Sequence, residues 1–406
     1  MKIDPSRRSV SLDPRNPEFF NDPYRAYHVI RAQAPMFKWE QYGHWCFARH
    51  EDVSALLRDR RFGRQIPHIV PEPPAHLEPF YAFERHSLLE NEPPVHTRLR
   101  NLVNRAFLSR EIDRLRPRVE SLANQLIDHF AADRQTDLIA SFATPIPVTI
   151  VAEMLGVPSS MAPQLLAWSH DMVAIYQARR DSEVERKAAA ATVAFSDFMR
   201  ACVGERRSKS GNDLLSHLIA AEAEGSKLSE DELITTAILL LNAGHEATVH
   251  AIGNGVKALL ENGITQIGAG HVEEMLRFDA PLHLFTRYAL ADSEFRDLRL
   301  RKGETVGLLL GAANRDPARF PEPDRFEPSR TPNPHVSFGA GIHFCVGAPL
   351  ARLELAVALP ILFGRLPQLA IASPPRYRDS YHFHGLEALD LSWAGRVASG
   401  RSKGGI

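Results

Sequence analysis

The sequence predicts a mainly α-helical fold with a minor β region, organised as one large domain. Three observations carry that prediction. Amphipathic segments with apolar residues every third or fourth position fill most of residues 95–364. Short aromatic-rich or β-branched stretches before residue 50 and after Pro281 are the strand-like ones. No Ser/Gly linker or internal repeat divides the 406 residues, although domains of ~100–150 residues would make two units the naive expectation.

Hydrophobic residues make up 44% and charged residues 24%, an ordinary globular balance with ample material for a core. The formal net charge of −1 argues against a nucleic-acid partner, which calls for a basic excess. The opening MKIDPSRRSVSLDP has no apolar signal region, and no later stretch offers ~18 uninterrupted apolar residues. The expectation is a cytoplasmic monomer with no membrane anchor. Cys46, Cys202 and Cys345 are odd in number and far apart, which argues against a disulfide framework and fits a reducing compartment.

In chain order, residues 1–22 are rich in Pro and Asp and read as an extended segment ahead of a domain at 23–395, with a flexible tail at 396–406. A helix is expected at 24–33, strands at 36–39 and 44–47 around a Gln41-Tyr42-Gly43 turn, and a further helix from His50. The Pro- and His-rich stretch 65–79 has no period and reads as a long surface loop. Helices follow at 97–107, 110–131, 161–176, 181–207 and 212–224. The run 230–261 stands apart. Its acidic start, Ser229-Glu230-Asp231-Glu232, suits the positive end of a helix dipole, and its centre is nearly all apolar or small, so it belongs in the middle of the protein. Strands are expected at 286–290, 298–300 and 305–310, then an irregular Pro-rich tract at 316–334. A last helix starts beyond Cys345 and runs towards Gly364, interrupted by Pro360.

The chemistry concentrates in Phe338-Gly339-Ala340-Gly341-Ile342-His343-Phe344-Cys345-Val346-Gly347. Three glycines around one cysteine imply a backbone that closely approaches a large flat group, with the thiol pointing at it. The helix that begins at Ala348-Pro349 puts its positive end beside Cys345 and favours thiolate. Other readings are a structural cysteine in a Gly-rich turn, a zinc site with His335 or His343, and a Cys–His nucleophile. Zinc would call for four closely spaced ligands, and the nucleophile lacks an identifiable oxyanion hole.

FGAGIHFCVG resembles the haem-binding loop of the cytochromes P450, F-x-x-G-x-[RH]-x-C-x-G. Further stretches match that family in order: Glu92-Pro93-Pro94-Val95-His96-Thr97-Arg98-Leu99-Arg100, Ala243-Gly244-His245-Glu246-Ala247-Thr248, Glu274-Met275-Leu276-Arg277, Asn314-Arg315-Asp316-Pro317 and Pro323-Asp324-Arg325-Phe326. The resemblance covers roughly residues 22–393 and implies haem b between a long central helix and the Cys345 loop, with Cys345 as axial iron ligand. Phe338, Gly339 and Gly347 would shape the loop, while His96 and Arg100, four apart on one helix face, join Arg287 and His343 around the haem propionates. Glu274 and Arg277, with Arg325 closing a triad, would hold that loop without touching substrate.

By the same resemblance Ala243 and Gly244 leave room for dioxygen, and Glu246 and Thr248 deliver protons. Most family members carry Thr where this chain has Ala247. Thr248 comes one residue, about 100° of helix, too late. Either a substrate hydroxyl or carbonyl orders the water instead, or a bulged backbone brings Thr248 round. His250, four residues beyond Glu246, reads as a relay partner or as a satisfied core or surface histidine.

The implied activity is insertion of one oxygen atom of O2 into a medium-sized, partly apolar substrate, with NAD(P)H-derived electrons from an external ferredoxin docking near Arg98, Arg105 and Arg352. The expected pocket wall is Leu88, Leu89, Met172, Ile175, Leu240, Ala243, Leu282, Leu284, Phe285 and Phe383, with His283, His382 and His384 as polar contacts. Rival readings are oxidative coupling, desaturation or peroxide-driven oxidation on the same scaffold, and a haem-based sensor or carrier.

Overall fold

The central helix is Glu230–Glu261, and its start is fixed by a full capping box. Ser229 accepts from the Glu232 amide at 3.2 Å while the Glu232 carboxylate accepts from the Ser229 amide at 2.9 Å, satisfying donors that a helix start leaves open. Because its faces are apolar nearly all round, other helices can pack on every side of it. Pro145–Leu155, Ser182–Ser208, Ala269–Phe278 and Ala348–Arg365 all contact it. Their buried side chains, among them Val151, Phe195, Met275 and Leu355, join Ile238 and Leu241 in one core.

The computed structural model describes residues 1–65, 74–177, 180–223 and 228–394. Most of the long loop expected at 65–79 and the tail expected at 396–406 therefore lie outside the described residues.

Among the described residues the β region has one seven-stranded sheet and three smaller ones, and the seven strands run in the order Lys2–Asp4, Ser9–Ser11, Met36–Trp39, His44–Phe47, Thr305–Leu309, Leu284–Ala289, Phe62–Gly63. The hairpin at Met36–Trp39 and His44–Phe47 pairs Met36 with Phe47 and Trp39 with His44, and Gly43 supplies the positive φ of +71° that its turn needs. Residues 1–22 form two strands and the helix Pro17–Asn21, and Ser9–Ser11 pairs in parallel with Met36–Trp39. Leu284–Ala289 runs antiparallel to Thr305–Leu309 and carries Arg287.

Three expectations are corrected. The 110–131 helix is two pieces, Ser109–Asp113 and Arg116–Phe130, because Pro117 starts a helix rather than continuing one. Conversely, Ala348–Arg365 runs through Pro360 without ending. The helix Pro145–Leu155 was missed: Pro145 and Pro147 sit in its first turn, and it is apolar without a clear stripe. No described helix is long and apolar enough to cross a membrane.

Candidate functional site

The Cys345 loop is a folded turn pinned at both ends. Gly339 and Gly341 take φ of +68° and +72°, and a Cβ on Gly341 would collide with the Leu57 carbonyl. The Cys345 amide donates to Phe338 O at 3.0 Å. Phe338 is half-buried under the Arg352 guanidinium, which lies 4.5 Å from its ring centre. Cys345 keeps accessible surface although it lies deep in the molecule, next to Phe344, itself 40% exposed. Burial pushes the Cys345 thiol pKa up, against the lowering pull of the Gly347 and Ala348 amides and of Arg100. The helix start therefore acts in the expected direction, opposed by desolvation.

Behind the loop, Glu274 and Arg277 form a fully buried bidentate pair, with N–O distances of 2.7 and 2.8 Å. Arg277 also donates to the carbonyls of Asn314, Pro323 and Arg325. Glu274 accepts from the Glu327 amide at 2.8 Å and from Asn333 at 3.1 Å. Asn314 carries the connection into the loop, donating to Ser337 and accepting from the Val336 amide. The third cation is not Arg325. Its side chain is 64% exposed and pairs with Glu322 and Glu327. Arg330 takes that place, its Nε 3.5 Å from Glu274. Four residues separate the two arginines, and only the side chain of Arg330 points inward.

A cluster of cations borders the same loop. Arg100, on the helix Val95–Asn104, donates to Phe344 O at 2.6 Å, directly beside Cys345. His96, on the same face, lies against the His343 ring with centroids 4.4 Å apart, and His343 contacts Glu92 at 2.9 Å. Burial, with His343 and Arg100 nearby, lowers His96 to a pKa of about 4, and its Nε2 is buried without a partner. Arg287 is 1% exposed and its Nη2 is likewise unpartnered. Burial and the neighbouring Arg64 depress its pKa to about 9. Arg64 itself was missed by sequence reasoning. It is buried, pairs with Glu90, donates to Thr286 and shares the Phe285 ring with Arg287. Unpartnered buried donors are costly, and those of Arg287 and His96 suit an anionic group with carboxylate edges.

On the central helix Ala243 is exposed and Ala247 half-buried, although most of their neighbours are buried. Four apart, they mark one accessible strip. Gly244 does not belong to that strip. A Cβ there would stand 2.8 Å from Val151, so the glycine serves close packing against Pro145–Leu155 rather than room for dioxygen. Thr248 is not brought round by a bulge. Its hydroxyl turns back to Gly244 O at 3.5 Å in an unbroken helix.

Glu246 is 6% exposed and ringed by cations and histidines. His250 Nε2 lies 3.2 Å from its Oε1, and Arg378 Nη1 3.8 Å from the same oxygen. His170 Nε2 lies 3.3 Å from Oε2 and His245 Nε2 3.6 Å from it. Burial opposes ionisation, but hydrogen bonds from His170 and His250 outweigh it and hold the Glu246 pKa well below the usual carboxylate range. His250, 1% exposed, is therefore in contact with Glu246 rather than satisfied elsewhere, and its Nδ1 has no partner. His170 comes from another helix, Ala162–Val173, so no local spacing pointed to it.

Among the wall residues, Leu88, Met172, Ile175 and Leu240 are buried in the main core, while Leu89, Leu282, Phe285 and Phe383 are half-buried. Leu282 and Phe383 meet in a β-bridge. Leu284 packs instead in the second core under the amino-terminal strands. His283 and His384 turn the same way, to Tyr27 and Tyr377, and His382 takes up backbone pairing with His283 and Leu284. Ile175 borders a polar cavity of about 160 Å³ with Arg64, Glu84, Glu90 and Tyr176, a corner the apolar expectation overlooked. Of the expected docking cations, Arg98 pairs with Glu232 and Arg352 with Glu273, whereas Arg105 is exposed.

The model of the family described as Cytochrome P450 matches residues 68–266 and 270–366. The chain belongs to the cytochrome P450 family. It is 34% identical to the polyketide biosynthesis cytochrome P450 PksS of Bacillus subtilis, with 94% of this chain and 98% of that protein covered. It is 35% identical to the 6-deoxyerythronolide B hydroxylase of Saccharopolyspora erythraea, with 94% of each covered. A crystal structure of P450BioI with an acyl-carrier-protein-bound hexadecenoic acid superposes with a TM-score of 0.88 at 32% identity, covering 93% of this chain and all of the other. This cytochrome P450 is thus an oxygen-incorporating oxidoreductase, as its named relatives are, and the family implies haem-thiolate iron.

Proposed function

We propose that the chain is a haem-thiolate monooxygenase that hydroxylates or epoxidises a medium-sized, partly apolar, oxygenated substrate. The observation that carries this reading is the pairing of an accessible Cys345 with unpartnered buried donors on Arg287 and His96. Haem b, held by the Cys345 sulfur with its propionates on Arg287, His96, Arg100 and His343, supplies the oxygen chemistry when bound. The Gly347 and Ala348 amides and Arg100 offset part of the cost of the Cys345 thiolate. Glu246 and His250 pass protons along the accessible strip at Ala243 and Ala247. With no hydroxyl at Ala247 and Thr248 turned back to Gly244, a hydroxyl or carbonyl of the substrate orders the water that those protons cross.

The names of relatives that act in polyketide biosynthesis support a polyketide-like or acyl substrate. Electrons derive from NAD(P)H through a ferredoxin, with Arg105 the exposed basic residue of the expected docking set. Ala247 also favours a second reading, oxidative coupling or peroxide-driven oxidation, and a chain forming C–S bonds in chuangxinmycin biosynthesis superposes with a TM-score of 0.84 at 31% identity. Turnover with peroxide alone and no ferredoxin selects that reading.

The primary test is the reduced-CO difference spectrum of purified protein. We expect the red-shifted band of thiolate-ligated haem, lost in Cys345→Ser. A holoprotein without that band, or a Cys345→Ser variant that keeps it, overturns the proposal. Screening oxygenated acyl and macrolide compounds for a spin-state shift then identifies the substrate class.

A further inference from the structure

The two oxygens of Glu246 face different surroundings. Oε1 is held by His250 and faces Arg378. Oε2 faces His170 and His245. The tautomer of His245 follows from its other nitrogen: Nδ1 lies 2.8 Å from Leu241 O, so it carries the proton and donates to that carbonyl. In the neutral ring that leaves Nε2 with a lone pair, aimed at a carboxylate oxygen 3.6 Å away, and it has no hydrogen-bond partner although His245 is 3% exposed. Two electron-rich atoms facing each other in a buried place repel unless a cation stands between them.

The geometry points to a divalent transition-metal site formed by His170 Nε2, His245 Nε2 and Glu246 Oε2. One donor atom from each of the three residues lies within 4.8 Å of the others. Separations of 3.3 and 3.6 Å from Oε2 are close to the edge of about 3.3 Å in a tetrahedron with metal–ligand bonds of about 2.0–2.1 Å. A backbone carbonyl behind His245 and a histidine behind Glu246 are the outer partners that orient ligands around such an ion. Access is built in as well. A cavity of about 300 Å³ lined by His170, Glu246, Arg378 and Ser380 reaches two of the three residues and leaves room for water as a fourth ligand, while His245 lies behind them. His170 stands at its wall with 41% of its side chain exposed, so it can turn either ring nitrogen to the ion. Two imidazoles and one carboxylate select Zn2+, Ni2+ or Cu2+ over Mg2+ and Ca2+.

Metal binding here needs only these residues, so it stands or falls independently of the proposed monooxygenase reading. Its consequence does rest on that reading. An ion on Oε2 ties up the carboxylate that passes protons, so zinc acts as a reversible inhibitor.

The test uses untagged holoprotein, so that Cys345 is occupied by haem, and zinc titrated in competition with a chromophoric chelator. We expect one zinc per chain, undisturbed by excess Mg2+. Changes to outer partners alone cost roughly 10–100-fold in affinity, so loss of a ligand in His170→Asn or His245→Gln should weaken binding by at least that factor. His129→Asn, a change at an exposed histidine far along the chain, should leave it unaltered. His170 is partly exposed, so its variant keeps the fold even if the His245 variant does not. Zinc affinity that is equal in His170→Asn and the parent, or matched by Mg2+, overturns the site. Tight binding without slower product formation keeps the site and instead removes the proton path assigned to Glu246.

Discussion

Behind Cys345, the Glu274–Arg277 clamp meets several backbone groups with good geometry, and its two charged members are fully buried. Around Glu246, a carboxylate of similar burial is met mostly by histidines, two of which keep a nitrogen without a partner. The difference teaches what each side is for. A pair whose own donors and acceptors are all met has one arrangement and holds a loop still. A network of histidines with unpartnered ring nitrogens can take up and release cations, protons included.

The comparison breaks first at Glu274. Glu274→Ala leaves Arg277 buried without its counter-charge, a loss of about 3–5 kcal/mol. We expect haem-free or insoluble protein, read from soluble yield and the reduced-CO band, and normal haem content would show that the clamp is dispensable. Glu246→Gln should do the opposite: keep the CO band and lower product formation by about 10²–10⁴-fold, the usual worth of a positioned acid–base group. Retained turnover in that variant would move the proton path elsewhere. Within the clamp, Arg330→Ala should destabilise by about 1–3 kcal/mol in urea unfolding, whereas exposed Arg325→Ala stays within about 0.5 kcal/mol. Equal effects would reinstate Arg325. The smallest change is expected from Ala247→Thr, which should leave product formed per NAD(P)H unimproved with the native substrate. A sharp rise in coupling would mean that the substrate does not supply the missing hydroxyl.

What was legible in the sequence follows the range of the interactions. The central helix emerged with its observed bounds because its cap and apolar content are local, and the Cys345 loop because its glycines stand beside the cysteine. Glu274 and Arg277 pair three residues apart, which a helix guarantees. The failures involve partners distant in sequence. Arg325 and Arg330 are equivalent until the turn between them is folded. His170 lies 3.3 Å from Glu246 only because two helices cross there, and Arg64 reaches Thr286 through sheet pairing. His283 and Leu284 follow strand geometry: the spacing did not tell which face looks to the amino-terminal core.

Gly244 sets a clearance. The central helix is seated against Pro145–Leu155 at a distance that a single methyl group would violate, since Val151 stands 2.8 Å from where that methyl would be. Alanine at this position would act as a shim, forcing the Val151 side chain or the helices themselves to give way and so disturbing the seat of the helix that carries Ala243 and Ala247. The seating of the central helix is thus gauged by an atom that is missing.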